Sequence, residues 1–293
     1  MVLATGGVPH DAMLRDELGL AGIGLSLAPS GSTGDGVRAA RAAGGMLRGD
    51  IASPVAWVPV SDVPRPEGGT TPHPHFFDRS KPGVVIVDRD GRRFASEALS
   101  YQDLGPLIAA RPGGQAFLLA DARAVRRHGI GAERPWPATN ARLIRAGYLL
   151  RAATPEALAR APGVDPAGLA PTLAGWNAAA AEGRDPDFGK GGDAYRRYIG
   201  EAGHAPNPCV APLDAPPFFA VRLRAGDIGT FAGLRVDAQA RVLRADGTPV
   251  PGLHAVGNDM ASVMGGTYPG PGITLGPALT FGVLAAEQLA RGD

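Results

Sequence analysis

A glycine-rich stretch, GNDMASVMGGTYPGPGITLGPA, occupies positions 257–278 and carries most of the information about the fold. It follows an apolar strand candidate at 253–256 and precedes a predicted helix over 277–289. Glycine permits close approach of the backbone to a flat ligand, and the interspersed prolines restrict the loop. The N–H groups that begin the helix would favour an anionic or electron-rich ligand. From the residues alone, tight packing beneath a helix explains the glycines equally well.

The first residues of the chain predict a strand that ends in a tight turn. Residues 2–4 are apolar and run directly into Thr5-Gly6-Gly7. The segment 32–36 then predicts the start of a helix over 37–43, which two glycines end. Residues 1–59 are therefore predicted to form a strand, a turn, a helix and a return strand. We expect the sheet of the first strand to have begun in sequence upstream of residue 1.

The middle of the chain predicts a mixed α+β unit. Its Pro-, His- and Gly-rich segment 60–80 indicates a loop or linker, and residues 84–94 predict a hairpin with its turn at 88–91. Thr154 and Asp165, each followed by proline, predict the starts of two helices. The apolar side of the second helix is expected to consist of Leu169, Leu173 and Trp176.

Composition and charge narrow the classes of function. The chain has 293 residues, and its 29 basic and 28 acidic residues are interspersed, so no basic stripe suited to nucleic acid is present. Cys209 is the only cysteine and has no partner for a disulfide or a thiolate metal site. The sequence shows neither a signal-like start nor an uncharged stretch of transmembrane length. We expect a cytoplasmic protein that acts on a small molecule.

Two other features invite a functional interpretation. His73-Pro74-His75 resembles a metal-binding pair, but a third ligand is not found at a plausible spacing, and the neighbouring residues indicate an exposed loop. We therefore predict no metal site. Asp227 and Asp259 are interpreted as structural or turn residues.

Four segments, 3–7, 91–94, 229–234 and 257–281, resemble in order and spacing the fumarate reductase/3-oxosteroid dehydrogenase flavoprotein family. The resemblance implies FAD as cofactor. It also implies an α/β fold, in which a partial FAD-binding (Rossmann-like) domain at 1–59 and 229–293 carries an inserted α+β catalytic cap domain at 60–228. The family's Gly-x-Gly-x-x-Gly fingerprint is not found in this sequence. The resemblance thus implies a missing N-terminal dinucleotide-binding segment, which a separate polypeptide could supply.

The same resemblance suggests site residues. Tyr268 and the backbone N–H of Gly272 would polarise a substrate ketone, and Tyr101 would remove the neighbouring proton while a hydride passes to the flavin, which leaves a C=C bond beside the ketone. Either tyrosine could instead be a packed aromatic. The expected flavin contacts are Thr5, Gly6, Gly7, Gly257, Asn258, Thr274 and Leu275. A steroid or another ketone is the expected substrate.

Two alternatives to this function stay open. A fumarate reductase or succinate dehydrogenase type of activity would need cationic groups for two carboxylates, whereas this chain has Tyr268 and Pro269 where those enzymes carry His- and Arg-containing sequence. The segment 229–231 also lacks the expected preceding histidine. The second alternative is a truncated, inactive fragment.

Overall fold

The structure is a computed structural model that describes residues 1–135 and 141–291. The chain divides into two compact units: unit 1 is Met1–Ala56 with Asp227–Asp293, and unit 2 is Trp57–Gly226. Both units mix helices and strands. The divisions fall close to the boundaries predicted at 59/60 and 228/229. The assignment of the units as an FAD-binding domain and a cap domain stays a prediction.

The described residues form both strands and helices. The strands are β1 (Val2–Leu3), β2 (Leu25–Ser26), β3 (Leu47–Arg48), β4 (Val55–Pro64), β5 (Thr70–Pro74), β6 (Val84–Val87), β7 (Gln115–Ala120), β8 (Leu150–Ala152), β9 (Phe218–Thr230), β10 (Gly233–Leu234), β11 (Arg241–Leu243) and β12 (Pro249–Ala255). The α-helices are α1 (Ala12–Glu17), α2 (Asp35–Ala42), α3 (Tyr101–Ala109), α4 (Ala122–His128), α5 (Ala141–Arg145), α6 (Pro155–Arg160), α7 (Pro166–Ala180), α8 (Ala194–Tyr198) and α9 (Leu275–Ala290). Short 3-10 helices lie at Asp78–Ser80, Pro112–Gly114 and Gly257–Asp259.

Unit 1 contains a small sheet in the order β1-β12-β11. Strand β1 runs parallel to β12, with Leu3 opposite Ala255, and β11 runs antiparallel to β12. Helix α2 and the strand β10 pack into the same core, which includes Leu3, Val37, Leu234, Val242, Ala255 and Met260. The predicted N-terminal strand and the predicted helices in the regions of 37–43 and 277–289 are therefore confirmed.

Unit 2 is built on a sheet in the order β5-β4-β9-β7-β6, with β8 also paired to β9. Successive side chains of a strand point to opposite faces, and here both faces are covered. In β7, Leu118 belongs to a core that also contains residues of α3, α4 and α5, whereas Phe117 and Leu119 belong to a second core with residues of α6 and α7. The result is a sheet buried between two helical layers.

The two predicted helix starts in unit 2 are confirmed by their capping bonds. The Thr154 hydroxyl accepts a hydrogen bond from Ala157 N at 3.2 Å. The Asp165 carboxylate accepts from Ala167 N at 2.9 Å and from the next N–H of the helix at 3.2 Å. In α7, Leu169, Leu173 and Trp176 are all buried, as the spacing predicted.

Two local predictions in unit 2 are wrong. Residues 92–94 form no strand, because β6 pairs with β7 and the Asp88 carboxylate instead accepts from Arg92 N and closes a turn. The segment 60–80 is not a loop or linker throughout, because β5 pairs antiparallel with the end of β4. Strand β5 lies at the end of the strand order, where proline is tolerated, so its prolines did not prevent pairing.

Within the described residues, every helix is too short or too polar to cross a membrane.

Candidate functional site

In unit 1, the turn after β1 is joined to the residues after β12 by the Asp259 carboxylate. Asp259 is fully buried and accepts hydrogen bonds from Thr5 Oγ1 at 2.8 Å, from Thr5 N and from Gly7 N at 3.2 Å. These donors of Thr5 and Gly7 are therefore engaged inside the protein. We therefore expect these donors to fix the position of the turn beside a cofactor site, and not to form hydrogen bonds with the cofactor themselves.

The same region is packed so closely that side chains are excluded at particular glycines. A Cβ on Gly7 would lie 2.6 Å from both Asn258 O and Thr230 Oγ1, and the residue has a positive φ of 80°. A Cβ on Gly229 would lie 2.7 Å from Asn258 Nδ2 at a φ of 134°. Three segments distant in sequence thus meet around Asn258 because glycine permits both the backbone conformation and the approach.

A shallow pocket opens at this meeting point. It is lined by Thr230, Phe231, Gly257, Asn258, Met260, Ser262, Val263, Ile273, Thr274 and Pro277. The structure thereby brings together three of the predicted flavin contacts, Gly257, Asn258 and Thr274. Thr5, Gly6, Gly7 and Leu275 do not line it, and Leu275 is exposed.

Thr230 is one of the seven lining residues that were not among the predicted flavin contacts. It is buried, and within the described residues its Oγ1 has no hydrogen-bond partner. A buried hydroxyl without a partner is costly unless a bound group or water satisfies it. The segment 229–234 had contributed to the family resemblance, but nothing in its sequence indicated which side chain would face a pocket.

The start of helix α9 lies beside this pocket. Its N-cap residue, Thr274, makes no side-chain capping bond, and Gly276 N donates to Gly272 O at 2.7 Å. Gly276 N is therefore already paired and Pro277 has no N–H, so this first turn offers a ligand mainly the positive potential of the helix dipole. The unpartnered Thr230 hydroxyl and the positive potential at this helix start suit a polar, electron-rich edge of a cofactor.

Tyr268 lies on the loop before α9, also in unit 1. Its ring is half-buried and tilted against Phe231, with ring centroids 6.2 Å apart, next to Ile273. The loop is fixed at Gly266, where a Cβ would lie 2.4 Å from Ser53 N. Gly272 is exposed and has a φ of 94°. The packed-aromatic interpretation of Tyr268 and its proposed role toward a ketone are therefore compatible.

Tyr101, the third predicted catalytic residue, is the first residue of α3 in unit 2 and is partly exposed. The N-cap residue Ser100 accepts from Asp103 N at 3.1 Å and donates to Asp103 Oδ2 at 2.7 Å. The ring of Phe76 contacts the Tyr101 ring edge to face, at a centroid separation of 5.0 Å. The position of this phenol is thus set by a helix cap and an aromatic neighbour.

The segment before Tyr101 is held by a buried network of charges. Arg93 pairs with Glu97 at 2.8 Å and with Asp185 at 2.8 Å, and its guanidinium stacks 4.4 Å from the ring centroid of Trp176. Lys190 Nζ lies 3.7 Å from Glu97. Although burial opposes ionisation, Arg93 and Lys190 hold the pKa of Glu97 below its usual value. Burial lowers the pKa of Lys190 to about 8.

His73 and His75, for which the sequence predicts no metal site and an exposed loop, have a different environment from the one expected. His73 lies in β5, and His75 is fully buried, so the expectation of an exposed loop is wrong. His75 Nδ1 bonds Asp78 Oδ2 at 2.7 Å, and Nε2 bonds Ser61 Oγ at 2.8 Å. Burial works against ionisation of Asp78, yet His75 and other donors hold its pKa at about 2. A cluster able to hold a metal ion is not found in the described part of the chain.

The family described as an FAD binding domain matches residues 1–275, and the chain belongs to this family. FAD is therefore its cofactor type, as predicted, and the resemblance to 3-oxosteroid dehydrogenase and fumarate reductase flavoproteins is confirmed.

Three similar proteins show how far the likeness extends. The chain is 39% identical over 298 residues to a 4-oxocyclohex-2-ene-1-carboxylate 5-dehydrogenase of Sinomonas cyclohexanicum, an alignment that covers 99% of this chain and 50% of the relative. It is 35% identical over 302 residues to a 3-oxosteroid 1-dehydrogenase of Mycobacterium tuberculosis, with 99% and 52% covered. The crystal structure of a 3-ketosteroid delta1-dehydrogenase from Sterolibacterium denitrificans in complex with 1,4-androstadiene-3,17-dione matches with a TM-score of 0.87 and 35% identity, covering 100% of this chain and 53% of that one.

A more distant relative is a fumarate reductase (cytochrome) of Shewanella frigidimarina, which is 26% identical over 293 residues, with 99% of this chain and 45% of the relative covered. The chain spans about half the length of the curated relatives it matches. Statements about the activity of a whole protein of this type are therefore proposals for this chain.

Proposed function

We propose that this chain is the part of an FAD-dependent dehydrogenase that introduces a C=C bond next to a ketone, and that it is active when completed by the remaining half found in its relatives. The observation that supports this most directly is the 257–281 loop. It places Tyr268 on Phe231 and fixes Gly266 against the backbone of Ser53, in a chain similar over its whole length to a steroid dehydrogenase.

The proposal assigns a role to each unit. Unit 1 corresponds to the partial FAD-binding domain of Rossmann-like type that the sequence predicts at 1–59 and 229–293, and unit 2 corresponds to the inserted α+β cap domain predicted at 60–228. The parallel pair β1–β12, followed by a glycine-rich segment and helix α9, is consistent with the first assignment. The buried antiparallel sheet of unit 2 is consistent with the second.

The proposed cofactor contacts divide into two groups. Gly257, Asn258 and Thr274 line the pocket, to which we add Thr230, whose buried hydroxyl needs a partner. The second group lies outside the pocket lining. It consists of the turn after β1, with Thr5, Gly6 and Gly7, and of Leu275 in the first turn of α9. When bound, FAD would supply the acceptor for one hydride, which carries both electrons of the oxidation.

The protein's own residues carry the proton chemistry. The Tyr268 hydroxyl and the Gly272 N–H donate to the substrate carbonyl oxygen and stabilise the negative charge that develops there. The Tyr101 phenolate takes the proton from the carbon next to the carbonyl. A hydride leaves the adjacent carbon, and the electron pair of the broken C–H bond at the first carbon forms the new C=C bond.

The substrate class is a cyclic ketone. Residues 257–281 contain neither lysine, arginine nor histidine, and the Tyr268 ring lies among the apolar residues Phe231 and Ile273. This environment favours a neutral carbonyl over a dicarboxylate, so the fumarate reductase alternative has less support. Two subclasses remain, a 3-ketosteroid and a 4-oxocyclohexanecarboxylate, because relatives named for a 3-oxosteroid and for 4-oxocyclohexanecarboxylate are 35% and 36% identical to this chain.

Helix α9 supports the view that a further segment completes unit 1. Leu275, Leu279 and Val283 follow one another at intervals of four and are 62%, 64% and 59% exposed. A contiguous apolar stripe of this kind usually marks a contact surface. We propose that the missing half of the FAD-binding domain covers it, supplied either as an upstream segment or as a separate polypeptide.

The test of the cofactor assignment is the visible absorption of the purified protein after incubation with FAD and desalting. The 293-residue chain and a version completed with a relative's remaining half are compared. A flavin band in the completed protein supports the proposal, and its absence there contradicts it. Leu279→Glu should prevent completion without changing the stability of the isolated chain, whereas Met13→Glu, at a residue that is 84% exposed, should leave completion intact.

The activity test uses the completed protein with an artificial electron acceptor. A 3-ketosteroid, 4-oxocyclohexanecarboxylate and fumarate with reduced dye are offered in parallel. Tyr268→Phe should lower turnover of the ketone at least about tenfold with little loss of FAD. Tyr198→Phe is the control, because Tyr198 is 85% exposed. Equal loss of FAD and turnover in Tyr268→Phe, or turnover of fumarate alone, would refute the assignment.

A further inference from the structure

Arg79, a residue of unit 2 for which no role has been assigned, is buried more completely than a charged side chain usually is. Its exposed fraction is 0%, and it lies in the short 3-10 helix Asp78–Ser80. Its guanidinium donates from Nε to His75 O at 2.8 Å and from Nη1 to Leu99 O and Glu97 O. Within the described residues, its Nη2 has no hydrogen-bond partner.

Within the described residues, the hydrogen-bond partners of the Arg79 guanidinium are carbonyl oxygens, whereas Asp78 Oδ1 accepts from the Arg79 backbone N–H at 2.9 Å. The nearby acids have other partners. Asp78 Oδ2 is hydrogen-bonded to His75 Nδ1 and accepts from Gly131 N. Glu97 forms ion pairs with Arg93 and Lys190. A buried cation without an ionic partner is expensive, since desolvation is not repaid. Burial accordingly lowers the pKa of Arg79 to about 10, which still leaves it charged near neutrality.

The backbone carbonyls that accept hydrogen bonds from Arg79 belong to the segment directly before Tyr101. Its acceptors Glu97 and Leu99 immediately precede Ser100, the cap of the helix that begins with Tyr101. Phe76, from the same segment as Arg79, contacts the Tyr101 ring at 5.0 Å. Burial lowers the pKa of Arg79, and the negative charge of the Tyr101 phenolate acts against this lowering, as do Asp78, Tyr195 and Glu97. Arg79 therefore acts on Tyr101 in two ways: its hydrogen bonds hold the backbone just before Tyr101, and its positive charge favours the phenolate.

We propose that Arg79 is the positioning residue that stabilises the ionised form of Tyr101 and so prepares this phenol to act as a base. The inference rests on the proposed function for its catalytic meaning. In the resting state, Tyr101 releases its proton to solvent, and Arg79 provides the opposite charge. In the reaction, the phenolate oxygen receives the substrate proton and returns to the neutral phenol.

The same guanidinium interacts with Asp78, Tyr195 and Glu97, and Asp103 lies in the first turn of the helix that begins with Tyr101. Asp103 opposes ionisation of Tyr101 as a like charge, but it is exposed and screened by solvent. Asp78 and Glu97 are compensated by their own partners, and Tyr195 is 47% exposed. Among these groups, Arg79 is the buried cation whose charge favours the phenolate, and the positive end of helix α3 acts in the same direction.

The test measures the ionisation of Tyr101 directly and needs no catalysis. The 293-residue chain is prepared with tyrosine isotopically labelled at the ring carbon Cζ, and its five tyrosines are titrated by NMR. Tyr101→Phe identifies the signal. We expect Tyr101 to ionise below the ordinary value of about 10. Tyr148 should ionise above that value, because burial raises its pKa.

Variants of Arg79 separate charge from simple packing. Arg79→Gln should raise the pKa of Tyr101 by about one unit or more, and Arg79→Lys, which keeps the charge, should restore most of the shift. Arg222→Gln removes an exposed charge from β9 and should change nothing. If Arg79→Gln does not fold, the wild-type titration still decides, since a Tyr101 pKa at or above about 10 overturns the proposal.

The completed enzyme then separates this inference from the proposed function. The pH profile of kcat should move upward with Arg79→Gln in parallel with the phenol titration. A low Tyr101 pKa in a completed protein that turns over no ketone would support the role of Arg79 and refute the proposed activity. Turnover with an unshifted profile in both Arg79 variants would show that Arg79 is only structural.

Discussion

The hydroxyl of Thr5 donates to Asp259 Oδ1 at 2.8 Å, across 254 positions of the sequence. Asp259 also accepts from Gly7 N, so one buried carboxylate joins the turn after the first strand to the residues after the last strand. The turn that the sequence assigned to direct cofactor binding is therefore shaped by an aspartate that had been assigned a merely structural role. The geometry of the turn at Thr5 to Gly7 therefore depends on Asp259.

Asp259→Ala should destabilise unit 1 by about 1–3 kcal/mol, because it leaves the buried Gly7 N–H, and the donors of Thr5, without their acceptor. Asp259→Asn keeps one acceptor oxygen and should cost less. Chemical denaturation monitored by circular dichroism measures both. Asp50→Asn, whose side chain is 83% exposed, serves as the control. A loss for Asp259→Ala no greater than for this control would contradict the joining role.

Thr230→Val should have opposite effects on stability and on cofactor affinity. The substitution removes a buried hydroxyl that has no partner in the described residues, so the free energy of unfolding of the cofactor-free protein should stay equal or rise by up to about 1 kcal/mol. In the completed protein, the affinity for FAD should fall about tenfold if the hydroxyl serves the cofactor. Thr230→Ser keeps the hydroxyl and is the matched control. Unchanged FAD affinity in the valine variant would remove Thr230 from the site.

Two glycines of the same loop should respond differently to alanine. In Gly266→Ala, the new Cβ would lie 2.4 Å from Ser53 N, at a φ of 83°, and we expect a loss of stability of at least about 2 kcal/mol. Gly270 has open space around its Cα and no positive φ, so Gly270→Ala should be nearly neutral. Thermal unfolding of the two variants makes the comparison. Similar melting temperatures would show that the loop is not held at Gly266.

The stabilisation that Asp78 provides should depend on pH. Its pKa is about 2 in the folded protein against an ordinary value of 3.8, so the folded state binds fewer protons there than the unfolded state. The stabilisation is therefore complete above about pH 4 and is lost as the pH falls toward 2; its size is on the order of 2 kcal/mol. Asp78→Asn should be less stable than wild type at pH 7, and the difference should shrink below pH 4. A difference that is constant with pH would contradict this account.

Local features of the sequence predicted local structure well. Thr154 and Asp165 cap the helices that they were predicted to cap, because a cap and its N–H acceptors lie within three residues of each other. The strand at Val2–Leu3 and the last helix likewise follow from apolar runs and their glycine boundaries. These signals need no knowledge of the rest of the chain.

Predictions failed where the deciding partner was distant or hidden. The prolines and histidines of β5 predict a loop, because they argue against a strand. The structure instead pairs β5 with β4, and no feature of the local sequence indicates this partner. The proposed catalytic residues Tyr101, Tyr268 and Gly272 came from family resemblance, and their roles stay predictions. The structure adds the neighbours Phe76 and Phe231, which neither spacing nor composition suggested.

The amino-acid sequence by itself determined the glycine-rich loop, the helix caps, the apolar strands and, through its motifs, membership in an FAD-binding family. Those properties depend on backbone freedom, side-chain periodicity and short-range hydrogen bonds. Only the tertiary structure decided that Asp259 receives the donors of Thr5, that the Thr230 hydroxyl is buried without a partner, and that Arg79 lies beneath the segment that ends at Tyr101. Burial and long-range hydrogen bonds depend on which distant segments come to share the same space.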